Sequence, residues 1–188
     1  MSVAAALTVV VHVSNLAGVP ATVVRDAQAD VTALFREVGV AVRWVDDVPH
    51  VGAHVEARLI LLPRADGALR TRSTVVFGAA SRTPGGLGTA WVFYRRVADH
   101  AERHALFASR LLACAIAHEL GHVLQRAPGH SDSGLMRATW RAAEFRSAAL
   151  GQLRFTSADA AAFTLPRSGD AIERRRGPDD QTVAVNRR

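Results

Sequence analysis

Residues His118-Glu119-Leu120-Gly121-His122 read H-E-x-x-H inside an apolar run of helical character, and no other feature constrains the fold and chemistry of the chain as tightly. On a helix, residues four apart lie on one face, one turn above the other. His118 and His122 can then present two imidazole nitrogens to one metal ion. Glu119 is rotated about 100° around the axis from His118, which sets its carboxylate beside the ion rather than on it. There it can take a proton from a metal-bound water. Two neutral imidazoles and a neighbouring carboxylate are what zinc-assisted peptide hydrolysis requires.

The context supports a helix. Ala105 to Ala117 contains neither Pro nor Gly and is rich in Ala and Leu, which favour that conformation. Leu112, Ile116, Leu120 and Val123 recur at the helical period on a face away from the two histidines, so the helix has a core side and a metal side.

A catalytic zinc site has three protein ligands and one open position, and the third ligand is expected just downstream. Pro128-Gly129 is predicted to end the helix and turn the chain. His130 follows at once and can fold back toward the metal, which makes it the expected third ligand. Asp132 is the rival, since a carboxylate also ligates zinc.

The segment from His118 to Met136 resembles the active-site signature of the metzincin clan of zinc endopeptidases, H-E-x-x-H-x-x-G-x-x-H followed by a tight turn bearing a methionine. His118, Glu119 and His122 match residue by residue, and Met136 in Ser133-Gly134-Leu135-Met136 matches the Met-turn. Gln125 stands where the clan has its helix-ending Gly, and Pro128 stands where it has its third His. His130 comes two residues later, with Arg126-Ala127-Pro128-Gly129 as the longer connection. His130-Ser131-Asp132-Ser133-Gly134-Leu135-Met136, with Trp140 beyond, is also similar to a group of uncharacterised bacterial metzincin-like proteins. The resemblance covers roughly residues 5–166, and only 118–136 match at the level of a motif.

The elements before the helix suit an α/β fold. Ala6 to Val13 is β-branched and predicts a buried strand. Val24, Ala27, Val31, Leu34, Phe35 and Val38 fall at helical spacing, and Gly39 closes that helix. Val40, Val42 and Trp44 alternate as a second strand ending at Asp46-Asp47. Val55 to Leu62 is a third strand, Thr74 to Gly78 a short fourth, and Thr89 to Tyr94 a fifth that leads into a helical stretch from about Asp99. Ser81 to Gly88 reads as a Gly/Pro-rich loop. Beyond the methionine, Trp140 to Leu150 is helix-compatible, and Phe155 to Asp159 reads as a cap opening a short helix to Leu165.

This order predicts a single α/β domain over residues 1–166, with a mixed, mostly parallel five-stranded sheet, a long active-site helix and a C-terminal helix. The resemblance makes it zincin/metzincin-like. It also implies that Thr74 to Ala80 forms the rim of the cleft, with Gly78, Ala79 and Ala80 nearest the metal, and binds substrate as an added strand. Residues 167–188 are few in bulky apolar groups, hold Arg174-Arg175-Arg176, and read as a disordered, solvated tail.

Composition narrows the function classes. The chain has 188 residues, 49% of them hydrophobic, enough for one core. No apolar run approaches the length needed to span a membrane. All 23 cationic residues are arginine and they are scattered, so the net charge of +6 reflects an Arg-rich coding bias and nucleic acid is not an expected partner. The lone Cys114 excludes an internal disulfide and reads as a packed core thiol, although it lies one turn before His118. His100 and His104 repeat the i,i+4 spacing in polar surroundings and read as exposed helix residues. No secretory signal is visible before the first strand. A cytoplasmic location is expected if the chain is full-length, a secreted one if it is a mature form.

These readings converge on a zinc-dependent metalloendopeptidase. One Zn²⁺ is held by His118, His122 and His130, Glu119 is the general base acting on a metal-bound water, and Met136 forms the floor below the metal. Tyr94, the single tyrosine, offers no obvious extra oxyanion donor. The expected partner is a peptide or protein substrate, and a monomer is expected. The alternative is a catalytically inactive zinc-containing binding module, for which the departures at Gln125 and Pro128 leave room. A weaker third reading is an Arg-rich nucleic-acid binder.

Overall fold

The chain is described by a computed structural model over residues 7–45, 55–67, 76–82, 87–125, 127 and 129–163. β1 (Leu7–Asn15) is the apolar run read from the sequence. Its residues are buried on both faces over much of its length, which is why it lacks polar alternation. The side chain of Asn15 then closes a turn on itself: Nδ2 donates to the Val19 carbonyl at 2.9 Å and Oδ1 accepts from the Val19 N–H at 3.0 Å. That turn delivers Pro20 to the start of α1 (Ala21–Glu37), whose buried stripe is Ala27, Val31, Leu34 and Phe35. Gly39, at φ +76°, takes the left-handed conformation that returns the chain to β2 (Val40–Val45).

The remaining elements are β3 (Val55–Leu62), β4 (Gly78–Ser81), β5 (Gly88–Phe93), α2 (Tyr94–Arg103), α3 (Ala108–Leu124), α4 (Ala142–Ala149) and α5 (Ser157–Ala162). The sheet order is β2-β1-β3-β5-β4. The β1–β2, β1–β3 and β3–β5 pairs are parallel, and the edge strand β4 runs antiparallel to β5, Gly78 facing Val92 and Ser81 facing Thr89. Alternate sheet residues, among them Val9, Val11, Leu59, Leu61, Ala90 and Val92, share one core with Val31 and Phe35 of α1 and Leu112, Ile116 and Leu120 of α3. The described residues therefore form a mixed α/β domain with a mostly parallel five-stranded sheet and five helices, as the sequence predicts.

Four expectations are corrected. The fourth strand is Gly78–Ser81 rather than Thr74–Gly78; residues 74 and 75 lie outside the described residues. Small side chains, not β-branched ones, form it, because α3 packs directly over it. The helical stretch before the motif is two helices, not one. It breaks at residues 104–107, where Ala105 takes φ +52° and Leu106 N–H donates to the Ala101 carbonyl at 2.8 Å. The α3 helix ends at Leu124, ahead of Pro128-Gly129, and the helix after Phe155 ends at Ala162 rather than Leu165.

The fourth correction concerns His100, which is buried at 6% exposure while His104 is exposed. Its ring lies on Phe145 at a 4.1 Å centroid distance and meets Phe77 edge-on at 5.4 Å. Burial holds its pKa below the usual histidine value, helped by the neighbouring His104 and Arg103. Polarity of the local sequence misled here, since the burying partners come from α4 and from the residue preceding β4. Cys114 is buried as expected, and burial pushes its thiol up to about 12. No helix of the described residues is long and apolar enough to cross a membrane. The segment 167–188 lies outside the described residues.

Candidate metal centre

The α3 helix is almost wholly buried along its length, yet His118 and His122 are half-buried. They lie one turn apart, as the spacing demands. His122 Nε2 approaches His118 Nε2 at 3.1 Å and His130 Nε2 also at 3.1 Å. The donor atoms of the three residues all lie within 4.8 Å of one another. A tetrahedral zinc with Zn–N of about 2.0–2.1 Å separates its ligand nitrogens by roughly 3.3 Å, and the two 3.1 Å pairs that His122 makes match that spacing. Asp132, the rival third ligand, is exposed and is not part of the converging group, and neither is Cys114.

Each helix histidine is oriented from behind. His118 Nδ1 lies 2.8 Å from the Leu135 carbonyl oxygen. A carbonyl only accepts, so Nδ1 carries the proton and Nε2, toward His122, keeps its lone pair. The same carbonyl accepts from Trp140 Nε1 at 3.1 Å. His122 Nδ1 lies 3.3 Å from Gln125 Oε1, which sets its tautomer in the same sense. Burial drives the pKa of His118 down to about 4, against an upward pull from the Leu135 carbonyl, and burial also lowers that of His122. Both rings are therefore neutral at pH 7, as metal ligation requires.

Loop 130–136 brings His130 to His122. Ser131 N–H donates to the Met136 carbonyl at 3.0 Å, and the Ser131 hydroxyl donates to Asp159 Oδ1 in a short hydrogen bond. Asp159 is buried and belongs to the cap of α5: its Oδ2 accepts from Thr156 N–H at 2.7 Å, while its own N–H donates to Thr156 Oγ1 at 3.1 Å. Gly134, at φ +75°, turns the loop, and Leu135 N–H donates to the Arg154 carbonyl at 2.8 Å. Leu135 and Met136 are completely buried. Met136 packs under α3 so closely that a Cβ on Gly121 would fall 2.5 Å from its sulfur. The helix carries glycine at this position because the methionine lies there.

Glu119 points toward β4. Only 6% exposed, its carboxylate lies against Gly78, where a Cβ would meet Glu119 Oε1 at 2.7 Å. Burial raises its pKa to about 8 in the metal-free chain. A dication close by would pull that value back down. The group is thus a buried carboxyl on the helix that carries His118 and His122, packed against the edge strand at Gly78. Such an arrangement can hold a divalent ion and exchange a proton with water or substrate near neutral pH.

Sequence reasoning named His118, Glu119, His122 and His130; the structure brings the three histidines together and sets Glu119, next to His118 on α3, against Gly78 of β4. It missed the acceptor role of Gln125, read only as a departure from a motif, and the anchoring of Ser131 by Asp159 across 28 residues. The T-x-x-D cap that holds Asp159 was legible, but its contact with Ser131 was not. Comparison with protein-family models gives no match to the chain, and comparison with curated proteins gives none either.

Proposed function

We propose that the chain is a zinc-dependent metalloendopeptidase of zincin/metzincin-like architecture. The observation that carries this reading is the convergence of three imidazole Nε2 atoms beside a buried glutamate that faces an edge strand. His118, His122 and His130 would hold Zn²⁺. Bound there, the ion would supply Lewis acidity toward a scissile carbonyl and toward the attacking water. A purely structural zinc site is closed by a fourth protein ligand, and among the described residues no fourth donor joins the group, which favours an open site.

Glu119 does the proton work. Its carboxylate takes a proton from the attacking water and passes it to the departing amine. The packing of Gly78 against it confines that carboxylate, so its basic atom is aimed rather than free to rotate. An extended peptide added along the edge strand β4 would run beside the strand that packs on Glu119. Met136 supports the helix from below and takes no part in proton transfer.

The test is hydrolysis of a peptide library by purified protein, with and without a chelator, for wild type and Glu119→Gln. Chelator-sensitive cleavage by wild type, with zinc retained but cleavage lost in Glu119→Gln, is the expected outcome. Zinc binding without cleavage of any peptide by wild type would replace this reading with that of a zinc-containing binding module.

A further inference from the structure

We infer that Gln125 is a positioning residue for the metal ligand His122, and that it stands in place of the helix-ending glycine as the clamp between the metal helix, the rim strand and the C-terminal helix. The inference rests on the reading of His118, His122 and His130 as a metal site.

Four observations meet at this residue. Its side chain is buried, at 7% exposure, and Oε1 lies 3.3 Å from His122 Nδ1. Its N–H donates to the Gly121 carbonyl at 2.9 Å, which completes the last turn of α3. Its backbone pairs with Phe163, just past α5, in an antiparallel bridge. Its carbonyl accepts from Arg82 Nη1 at 3.2 Å, one residue beyond β4. Gln125 also leaves the helix at φ −63°, ψ 138°, an extended conformation that any residue adopts. No left-handed glycine is needed at this exit, so the position is free to carry a side chain, and the side chain reaches back to the ligand.

The chemistry follows from the acceptor. An amide oxygen on Nδ1 holds His122 as the Nδ1–H tautomer and leaves the Nε2 lone pair for a metal. It also fixes the ring plane, which otherwise turns about two side-chain torsions. His118 receives the same service from a backbone carbonyl, which substitution cannot remove. His122 depends on a side chain, and that makes its orientation testable.

The test uses the full chain and zinc or cobalt(II) alone as probe. Zinc affinity is measured by chelator competition for wild type, Gln125→Met and Gln125→Glu. Nitrogen NMR of the histidine rings reports the His122 tautomer without metal, and the visible spectrum reports cobalt geometry. Gln125→Met removes the acceptor at similar size and is expected to weaken zinc binding about 10- to 100-fold, the usual cost of losing such an outer partner. It should also mix the His122 tautomers and change the cobalt spectrum. Gln125→Glu restores an acceptor and is expected to bind zinc at least as tightly as wild type, a rescue that a purely packing role does not give. Zinc affinity, tautomer and cobalt spectrum all unchanged in Gln125→Met overturn the positioning role alone. The same holds if Gln125→Met and Gln125→Glu lose zinc equally. Wild type that takes up no zinc overturns the metal site itself and this inference with it. Should Gln125→Met fail to fold, Gln125→Glu against wild type decides: weakened binding there overturns the inference.

Discussion

Glu119 and Gly78 are in direct contact, the carboxylate of one lying where the other would carry a Cβ. A methyl group at position 78 would stand 2.6 Å from Glu119 Cγ and 2.5 Å from the carbonyl oxygen of Trp91. The helix can give little, because α3 is buried along most of its length. Gly78→Ala should therefore move the carboxylate or the strand. A displacement of the order of 1 Å at a reacting group costs about 100-fold in rate. We expect kcat to fall about 100-fold, with zinc content unchanged because the three histidines do not touch Gly78. Metal analysis beside steady-state kinetics checks it; undiminished kcat would falsify the contact's role.

Gly121 and Met136 form the second close approach. Alanine at 121 gains about 1 kcal/mol of helix propensity, but overpacking a filled core costs about 1–3 kcal/mol. Because Met136 is completely buried, the overpacking term should win. Gly121→Ala is expected to lower stability by up to about 2 kcal/mol. Combining it with Met136→Ala should recover part of that loss, because the new methyl then enters the vacated space. Urea unfolding of both single variants and the double variant measures the coupling.

Trp140 and His118 share one acceptor, the carbonyl of Leu135. Trp140→Phe keeps an aromatic ring in the cluster with Phe77 and Phe145 but removes the Nε1 donor. The expected cost in stability is about 1 kcal/mol for one buried hydrogen bond. His118 keeps its own bond to Leu135, so its tautomer should not change. Thermal unfolding and ring-nitrogen NMR read the two effects separately.

Glu144, outside the histidine cluster, gives a pH dependence of its own. The Arg141 N–H, at 2.8 Å from Oε2, holds its carboxyl below the usual carboxylate value of 4.5, with the Arg137 guanidinium assisting. A lowered folded pKa contributes stability that is present above about pH 4.5 and is lost as pH falls through the folded value. Glu144→Gln keeps an acceptor for the Arg141 N–H but loses the charge that strengthens it and the Arg137 pair, so it should be less stable than wild type at pH 7 by about 1 kcal/mol. The two proteins should converge as pH falls from 7 through the lowered folded value. Melting temperatures across that range show whether they do.

Metal should stabilise the fold, because loop 130–136 and α3 share the site. Zinc at 100 times its dissociation constant is worth about 2.7 kcal/mol to a state that alone binds it. Addition of a chelator should remove that increment from wild type and change nothing in His130→Ala. Calorimetry with and without chelator provides the comparison.

Much of this protein follows from local sequence alone. The apolar run of β1, the stripe Ala27-Val31-Leu34-Phe35 on α1 and the i,i+4 pair His118 and His122 are periodicities. Periodicity sets which side chains share a face before any partner is known. Glu119 follows for the same reason, as a neighbour on the same helix. What the tertiary structure decided depends on elements distant in sequence. Burial of His100 comes from Phe77 and Phe145, and the strand at Gly78–Ser81 from the approach of α3. Delivery of His130 comes from the anchoring of Ser131 on Asp159, and the orientation of His122 from a helix exit that let Gln125 fold back. Local spacing fixes angles around one axis. Only packing brings separate axes together, and in this chain the three histidines lie where they meet.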